Sequence, residues 1–393
     1  MKDLFLRKGA DQRLRGGHLW VYSNEVDTAR SALSSFTAGD LVAVRNTNDR
    51  VLGSAYMEPN ALICARVYAP AEQCAMDVDF FTARLRTALA IRQAAFDKPF
   101  YRLVYGDSDT LPGVVIDRFG DVLVLQLNNS GLERYREPLL EALVATLAPS
   151  GILLRADSRS RREQGLPTDS EVVYGEVPLQ VALEENGVQF LAPVFDGQKT
   201  GWFYDHRMSR ARLAPWVNGK SVLDVYSYIG GWGVQAAAFG ATSVCCIDSS
   251  AQALQGVAEN AQLNQLQDRV TTERGPAPEL MAAMQAQGKF YDVVILDPPA
   301  FIQRKKDLKK GIAAYRRINE LGLQLLQPGG LLVSGSCSMH LSRADLMGAV
   351  QQAAVRSGCQ VRVVEQGAQG ADHPIHPAIP ETEYLKAVFF RKL

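Results

Sequence analysis

The sequence predicts an α/β protein in three parts: a small N-terminal β-barrel, a central α+β domain and a C-terminal doubly wound sheet. Three observations carry this. Short apolar runs separated by turn-forming residues occupy the first 70 or so positions. Between about 76 and 185 strand-like and helix-like patterns mix. From about 186 onward strand runs alternate with helical stretches, the pattern of parallel βαβ units. The expected domains are 1–72, 73–185 and 186–393.

In the first part, Leu41-Val42-Ala43-Val44 and Leu62-Ile63-Cys64-Ala65-Arg66-Val67 read as strands. Ala38-Gly39-Asp40, Asn46-Thr47-Asn48-Asp49 and Glu58-Pro59-Asn60 read as turns, since Gly, Asn, Asp and Pro favour chain reversal. Residues 78–95 place Phe80, Phe81, Leu85, Leu89 and Ile91 at helical intervals, with Arg84, Arg86 and Arg92 between them. Residues 114–127 read as two strands joined at Gly120-Asp121. A helix over about 133–147 and a strand at Ile152–Arg155 follow. In the third part strands are expected at 221–225, 243–247, 291–296 and 330–335, each followed by a helix.

The 393 residues are too many for one ordinary domain, and 47% apolar content suits a globular protein with a sizeable core. Lysine plus arginine balance aspartate plus glutamate at 42 each, so any polyanion must be met by local patches. Six scattered cysteines fit a reducing, cytoplasmic setting. Neither an export signal nor a membrane span is indicated.

The strand ending Val222-Leu223-Asp224-Val225 runs into Tyr226-Ser227-Tyr228-Ile229-Gly230-Gly231-Trp232-Gly233. A glycine-rich turn there lets a ligand approach the backbone, but the spacing is not that of a pyrophosphate-binding dinucleotide site. The next strand ends at Asp248-Ser249, and an acid at that place can accept both ribose hydroxyls of a nucleoside. Asp224, Tyr226, Ser227, Tyr228, Gly230, Gly233, Asp248 and Ser249 therefore describe an adenosyl site without a diphosphate. S-adenosyl-L-methionine is the natural candidate for it.

Asp297-Pro298-Pro299 follows the apolar run Val293–Leu296, and Ser336-Cys337-Ser338 follows Leu331-Leu332-Val333. Carboxyl ends of parallel strands border the ligand crevice, so an acid and a thiol would share one pocket. That pair suits carbon 5 of a pyrimidine. A thiolate adding at C6 makes C5 an enamine carbon that can take a methyl group, and an acid at N3 eases the addition. Cys337 is the expected nucleophile and Asp297 the group that meets the base. The stiff prolines would hold Asp297 and Phe301 at the pocket wall. Amino-group methylation is the competing chemistry; it usually sets an aromatic directly after the prolines, where this chain has Ala300.

Arg304-Lys305-Lys306, then Lys309-Lys310 and Arg316-Arg317, would suit phosphates flanking a flipped-out base. Arg15, His18 and Trp20 mix cations with aromatics, as RNA-binding surfaces do. Arg155 and Arg159–Arg162 form a third basic cluster. No residues have metal-ligand spacing, so no metal is expected.

Taken together these motifs resemble the bacterial rRNA large subunit methyltransferase I family across essentially the whole chain. Arg15-Gly16-Gly17-His18-Leu19-Trp20-Val21-Tyr22 is similar to the start of that family's PUA domain. Asp196-Gly197-Gln198-Lys199-Thr200-Gly201-Trp202-Phe203-Tyr204-Asp205-His206-Arg207 matches its signature before the cofactor strand. Asp297-Pro298-Pro299-Ala300-Phe301, Ser336-Cys337-Ser338 and Ala371-Asp372-His373-Pro374 match as well. The resemblance implies a PUA-like RNA-binding domain and a Rossmann-like methyltransferase domain dependent on S-adenosyl-L-methionine. It implies cytosine-5 methylation of 23S rRNA, free or in a partly assembled large subunit, with the oligomeric state open. It assigns Lys199, Thr200, Asp205 and Arg207 to the cofactor side, Cys337 to catalysis and Asp297 to the motif carboxylate. Two positions depart from the pattern: His206 stands where Gln is usual, and Arg274-Gly275-Pro276-Ala277 lacks the acid that commonly meets the adenine amino group. A nucleobase amino-methyltransferase and a non-catalytic RNA-binding assembly factor are the alternatives.

Overall fold

The computed structural model describes residues 1–70 and 74–393, so the expected boundary between 72 and 73 lies outside the described residues. The chain forms two compact units. The first comprises Met1–Val181, Pro193–Trp202 and Ala371–Thr382; the second comprises Ala182–Ala192, Phe203–Gly370 and Glu383–Leu393. No helix among the described residues is long and apolar enough to cross a membrane.

The first unit holds two five-stranded sheets. In the N-terminal one, the two expected strands run Leu41–Arg45 and Ile63–Ala69, and Lys2–Phe5, Trp20–Tyr22 and Val51–Met57 complete it. Alternate residues point inward, and Leu4, Val21, Val42, Val44, Ala55, Met57, Cys64 and Ala65 form its core. A bridge between Leu6 and Val26 joins chain just beyond the two edge strands, which curls the sheet toward a barrel. The second sheet contains the expected hairpin, Val114–Phe119 and Val122–Leu127, turning at Gly120 with φ of +69°. Helix Val78–Ala95 starts where the Asp77 carboxylate accepts the Phe80 N–H at 2.9 Å.

In helix Val78–Ala95, Ile91 is 44% exposed and Arg92 is buried. The reason is a two-pronged contact of Arg92 with the Asp109 carboxylate at 2.6 and 2.7 Å, with a third bond to the Asp372 carbonyl. The third basic cluster is divided: Arg159 and Arg162 are exposed, whereas Arg155 and Arg161 are buried. Arg155 donates to the carbonyls of Val194 and Gly197, and Arg161 to those of Leu127 and Pro167. These arginines satisfy buried backbone, so they do not form a face for nucleic acid.

The second unit is built on a seven-stranded sheet: β1 Ser221–Val225, β2 Ser243–Asp248, β3 Val270–Arg274, β4 Tyr291–Leu296, β5 Leu326–Ser336, β6 Val361–Gly367 and β7 Lys386–Lys392. Their order is β3-β2-β1-β4-β5-β7-β6. The first five are parallel, as the βαβ pattern predicts, while β7 runs antiparallel between β5 and β6. The helices that link successive strands are α1 Gly233–Ala238, α2 Ala251–Leu263, α3 Ala277–Ala286, α4 Leu308–Gln324 and α5 Arg343–Arg356. Strands buried on both faces read as continuous apolar runs; Val293–Leu296 and Leu331–Val333 are fully inside. Strand order reverses between β1 and β4, so the crevice for a ligand lies outside their carboxyl ends.

Candidate active site

The carboxyl ends of the parallel strands carry the predicted acids and the thiol. Asp224 precedes the last residue of β1, Asp248 ends β2, Asp297 follows β4 and Cys337 follows β5. Since β4 pairs with β5 in parallel register, Leu296 with Ser334, Asp297 and Cys337 leave neighbouring strands on the same side.

The turn after β1 is wound tightly. Tyr226 (φ 66°), Tyr228 (φ 50°) and Gly230 (φ 87°) all have left-handed backbone. For the two tyrosines that conformation is costly and persists only where surroundings impose it. Here β2 imposes it: the Tyr228 N–H donates to Asp248 Oδ2 at 3.0 Å, and the Ser227 N–H to the Ile247 carbonyl at 3.0 Å. Asp248 Oδ1 accepts the Ser250 N–H at 2.9 Å. Both oxygens are thus oriented by backbone and keep lone pairs for two hydroxyls. Ser249 lies beside it, its carbonyl accepting Arg274 Nε at 3.2 Å. Gly233 serves packing, because a Cβ there would lie 2.5 Å from Cys246 Sγ and 2.9 Å from Asp224 Oδ2.

Asp224 Oδ2 accepts the Gly233 N–H at 2.8 Å, while buried Oδ1 and the buried Ser227 hydroxyl have no partner among the described residues. Burial pushes the Asp224 carboxyl up to about 7, against the pull of the Gly233 N–H. Buried oxygens left without donors fit a ligand that brings donors or positive charge. The ammonium and sulfonium of S-adenosylmethionine meet that description.

Asp297 is held differently. Its Oδ2 accepts Trp232 Nε1 at 3.0 Å, and His206 Nε2 stands at ion-pair distance, 3.1 Å, from Oδ1. His206 Nδ1 has no hydrogen-bond partner among the described residues. Burial would push the Asp297 carboxyl up, but His206 and the Trp232 N–H outweigh it and hold the group below its usual range. Its side chain stays 21% exposed, so one side is open. The backbone of β5 closes another side: a Cβ at Gly335 would lie 2.9 Å from Asp297 Oδ1.

Tyr315 of α4 ties the two loops together. Its hydroxyl accepts from Ser336 Oγ at 2.8 Å and meets Ser338 Oγ at 2.9 Å. Ser338 Oγ in turn accepts the Ile302 N–H at 3.3 Å. Phe301 packs its ring against Tyr315, centroids 4.9 Å apart. Cys337 is half-buried between these serines. Pro298 is buried and Pro299 exposed. Beyond them Arg304, Lys305 and Lys306 are exposed and enter no ion pair among the described residues.

The remaining predicted residues fall as follows. Asp205 accepts the Tyr384 hydroxyl at 2.6 Å and the His206 N–H at 3.0 Å. Arg207 is buried beside Glu185, 3.6 Å away. Lys199 and Thr200 belong to the first unit: Lys199 is exposed, and the buried Thr200 hydroxyl donates to Asp117. Arg15, His18 and Trp20 also lie in that unit. Arg15 is exposed, half-buried His18 accepts the Trp20 N–H on Nδ1 at 3.0 Å, and Trp20 Nε1 donates to Asp107 at 2.7 Å. Sequence reasoning assigned no role to Trp232, Tyr315 or Lys386. Of these only Trp232 carried a signal, an indole inside the glycine turn, where a buried N–H needs an acceptor.

Comparison with known proteins agrees with this architecture. Residues 4–70 match the PUA-like domain family and residues 132–391 match the S-adenosylmethionine-dependent methyltransferase family. The chain is 37% identical over 391 residues to "Ribosomal RNA large subunit methyltransferase I" of Shewanella denitrificans, covering 98% of each chain. It is 36% identical over 389 residues to the protein of that name from Aliivibrio fischeri, again covering 98% of each. Among solved structures, a Streptococcus mutans chain assigned as a SAM-dependent methyltransferase superposes with a TM-score of 0.83 at 21% identity. A methyltransferase complexed with SAH superposes at 0.85 and 21%; both matches cover 100% of each chain. At that identity the structural likeness establishes the fold.

Proposed function

The chain belongs to the ribosomal RNA large subunit methyltransferase I family, and from that premise we propose that it methylates carbon 5 of a cytosine in 23S ribosomal RNA. It is an S-adenosylmethionine-dependent ribosomal RNA methyltransferase; the target atom and the roles below are our reading. The observation that carries it is a half-buried thiol, Cys337, on the strand next to the one that presents Asp297.

Bound S-adenosylmethionine supplies an electrophilic methyl group on a sulfonium. Asp224 and Ser227 would face its cationic end, Asp248 its ribose hydroxyls, and Tyr226, Tyr228, Gly230 and Ser249 would line the cradle. Gly233 sets its depth by letting α1 approach β1. Asp205 and Arg207 lie in the unit that holds the cradle, and the signature that they share with Lys199 and Thr200 assigns these residues to the cofactor side.

Cys337 Sγ, as thiolate, forms a bond to C6 of the cytosine. The pair that this addition displaces from the C5–C6 π bond onto C5 would take up the methyl group, the carbon–sulfur bond pair remaining on sulfur. Loss of the C5 proton to a base returns its electron pair to the C5–C6 bond and expels the thiolate. Asp297 is ionised through His206 and Trp232, so it meets the base first as an acceptor, suited to the exocyclic amino group. The proton that neutralises N3 as charge develops there comes from solvent and returns to solvent when the C5–C6 bond reforms. Phe301 packs against Tyr315, and Ala300 stands directly after the prolines, where amino methylation usually sets an aromatic. Pro298, Pro299 and Phe301 would shape the pocket wall, and Arg304, Lys305 and Lys306 would take flanking phosphates. Arg15, His18 and Trp20 offer a second RNA contact.

Nucleoside mass spectrometry of 23S rRNA from cells with and without the active protein tests this. A 5-methylcytidine lost with the protein is expected; an N-methylated base lost instead would favour amino methylation, and no change would favour the assembly factor.

A further inference from the structure

Lys386 opens β7 and is 6% exposed. The antiparallel register sets it opposite Ser336, one residue before Cys337. Its ammonium donates to the Ser338 carbonyl at 2.7 Å and the Tyr384 carbonyl at 2.8 Å, so it grips the chain just past the thiol. It makes no ion pair with a carboxylate among the described residues. A buried cation without an anion is poorly compensated, and burial accordingly lowers Lys386 to about 8. The charged or ionisable groups around it are Cys337 and Glu383, which favour its charge, and Arg343 at the start of α5, which opposes it. Glu383 is exposed and screened by water. Cys337, which also faces the Tyr315 hydroxyl, is the half-buried group able to become an anion there.

We propose that Lys386 is a positioning residue for the nucleophile: its buried ammonium, fixed to the Ser338 carbonyl, is the counter-charge that favours Cys337 as thiolate and aims the Ser336–Ser338 turn. The inference rests on the reading of Cys337 as nucleophile. The thiol proton leaves to solvent, and the ammonium stays protonated while the Sγ–C6 bond forms and breaks. An apolar residue at 386 would leave the thiol less ionised.

The test is iodoacetamide alkylation of the full-length protein, with the Cys337 peptide quantified by mass spectrometry. At pH 7, Lys386→Met is expected to slow Cys337 alkylation by roughly tenfold, with Lys386→Arg near the unsubstituted rate. At pH 9.5 the gap should close, because thiols ionise unaided and Lys386 is itself neutral. Equal rates at pH 7, or the same slowing at both pH values, would overturn the proposal; the latter is what a purely structural role produces. If Lys386→Met does not fold, the unsubstituted protein decides: Cys337 must alkylate faster at pH 7 than glutathione, and a slower rate overturns the inference. Methylation by Cys337→Ala would defeat the nucleophile reading instead, even with the alkylation effect intact.

Discussion

Trp232 Nε1 donates to Asp297 Oδ2 at 3.0 Å, joining the glycine turn after β1 to the acid after β4. The two residues are 65 positions apart. Through this bond the proposed cofactor cradle and the proposed base-binding carboxylate form one polar assembly.

Trp232→Phe keeps the ring and removes the N–H. A hydrogen bond to a charged group contributes about 1.5–3 kcal/mol, so methyl transfer is expected to fall roughly ten- to hundredfold. S-adenosylmethionine affinity should change little. Steady-state kinetics with calorimetry checks both, and an unchanged rate would remove Asp297 from the reaction.

Asp224 gives a pH signature. Burial holds its carboxyl at about 7 in the free protein, so it is protonated below that pH and ionised above it. A cationic ligand prefers the ionised form. S-adenosylmethionine affinity should therefore be level above pH 7 and drop by up to about tenfold per pH unit below it. Because the folded value lies above the unfolded one, the ionised group opposes folding. Its penalty is absent below about pH 4, grows through pH 7 and is full above that. Asp224→Asn should raise the thermal midpoint of the free protein at pH 8, leave it unchanged near pH 4, and flatten the affinity profile. Titration calorimetry and thermal melts from pH 4 to 8.5 measure these effects.

Replacing Arg304, Lys305 and Lys306 together by alanine should weaken rRNA binding and leave S-adenosylmethionine binding intact. For single-stranded target RNA, each lost phosphate contact reduces the slope of log affinity against log salt by about 0.7. Filter binding at several salt concentrations reads the slope; an unchanged value would place the RNA elsewhere.

Tyr315→Phe leaves the Ser336 and Ser338 hydroxyls short of a buried partner. A stability loss of about 1–3 kcal/mol is expected. The methylation rate should fall further than the change in folded fraction accounts for, since both site loops lose their tie. Urea unfolding alongside activity separates the two effects.

Much of this site was legible in the sequence because strand ends are. Asp224, Asp248, Asp297 and Cys337 each close an apolar run, and a parallel sheet turns that local fact into a shared crevice. What was not legible depends on register between distant segments. Lys386 reaches the turn that carries the thiol only because β7 returns antiparallel beside β5, and Tyr315 meets the serines on either side of it from α4. Ile91 and Arg92 show the same limit on a helix: periodicity assigns the isoleucine inward, whereas a carboxylate at Asp109 reverses the choice. Arg155 and Arg161 resembled a basic face until their carbonyl partners, brought by other segments, turned them inward.

The most direct measurement concerns the bond between Cys337 and the base. In a 23S transcript made with 5-fluorocytidine, fluorine at C5 cannot leave as a proton, so an enzyme attached at C6 stays attached after methyl transfer. A stable protein–RNA adduct is expected that requires S-adenosylmethionine, maps by peptide mass spectrometry to Cys337 and is absent in Cys337→Ala. Methylation without any adduct, or an adduct on another residue, would contradict it.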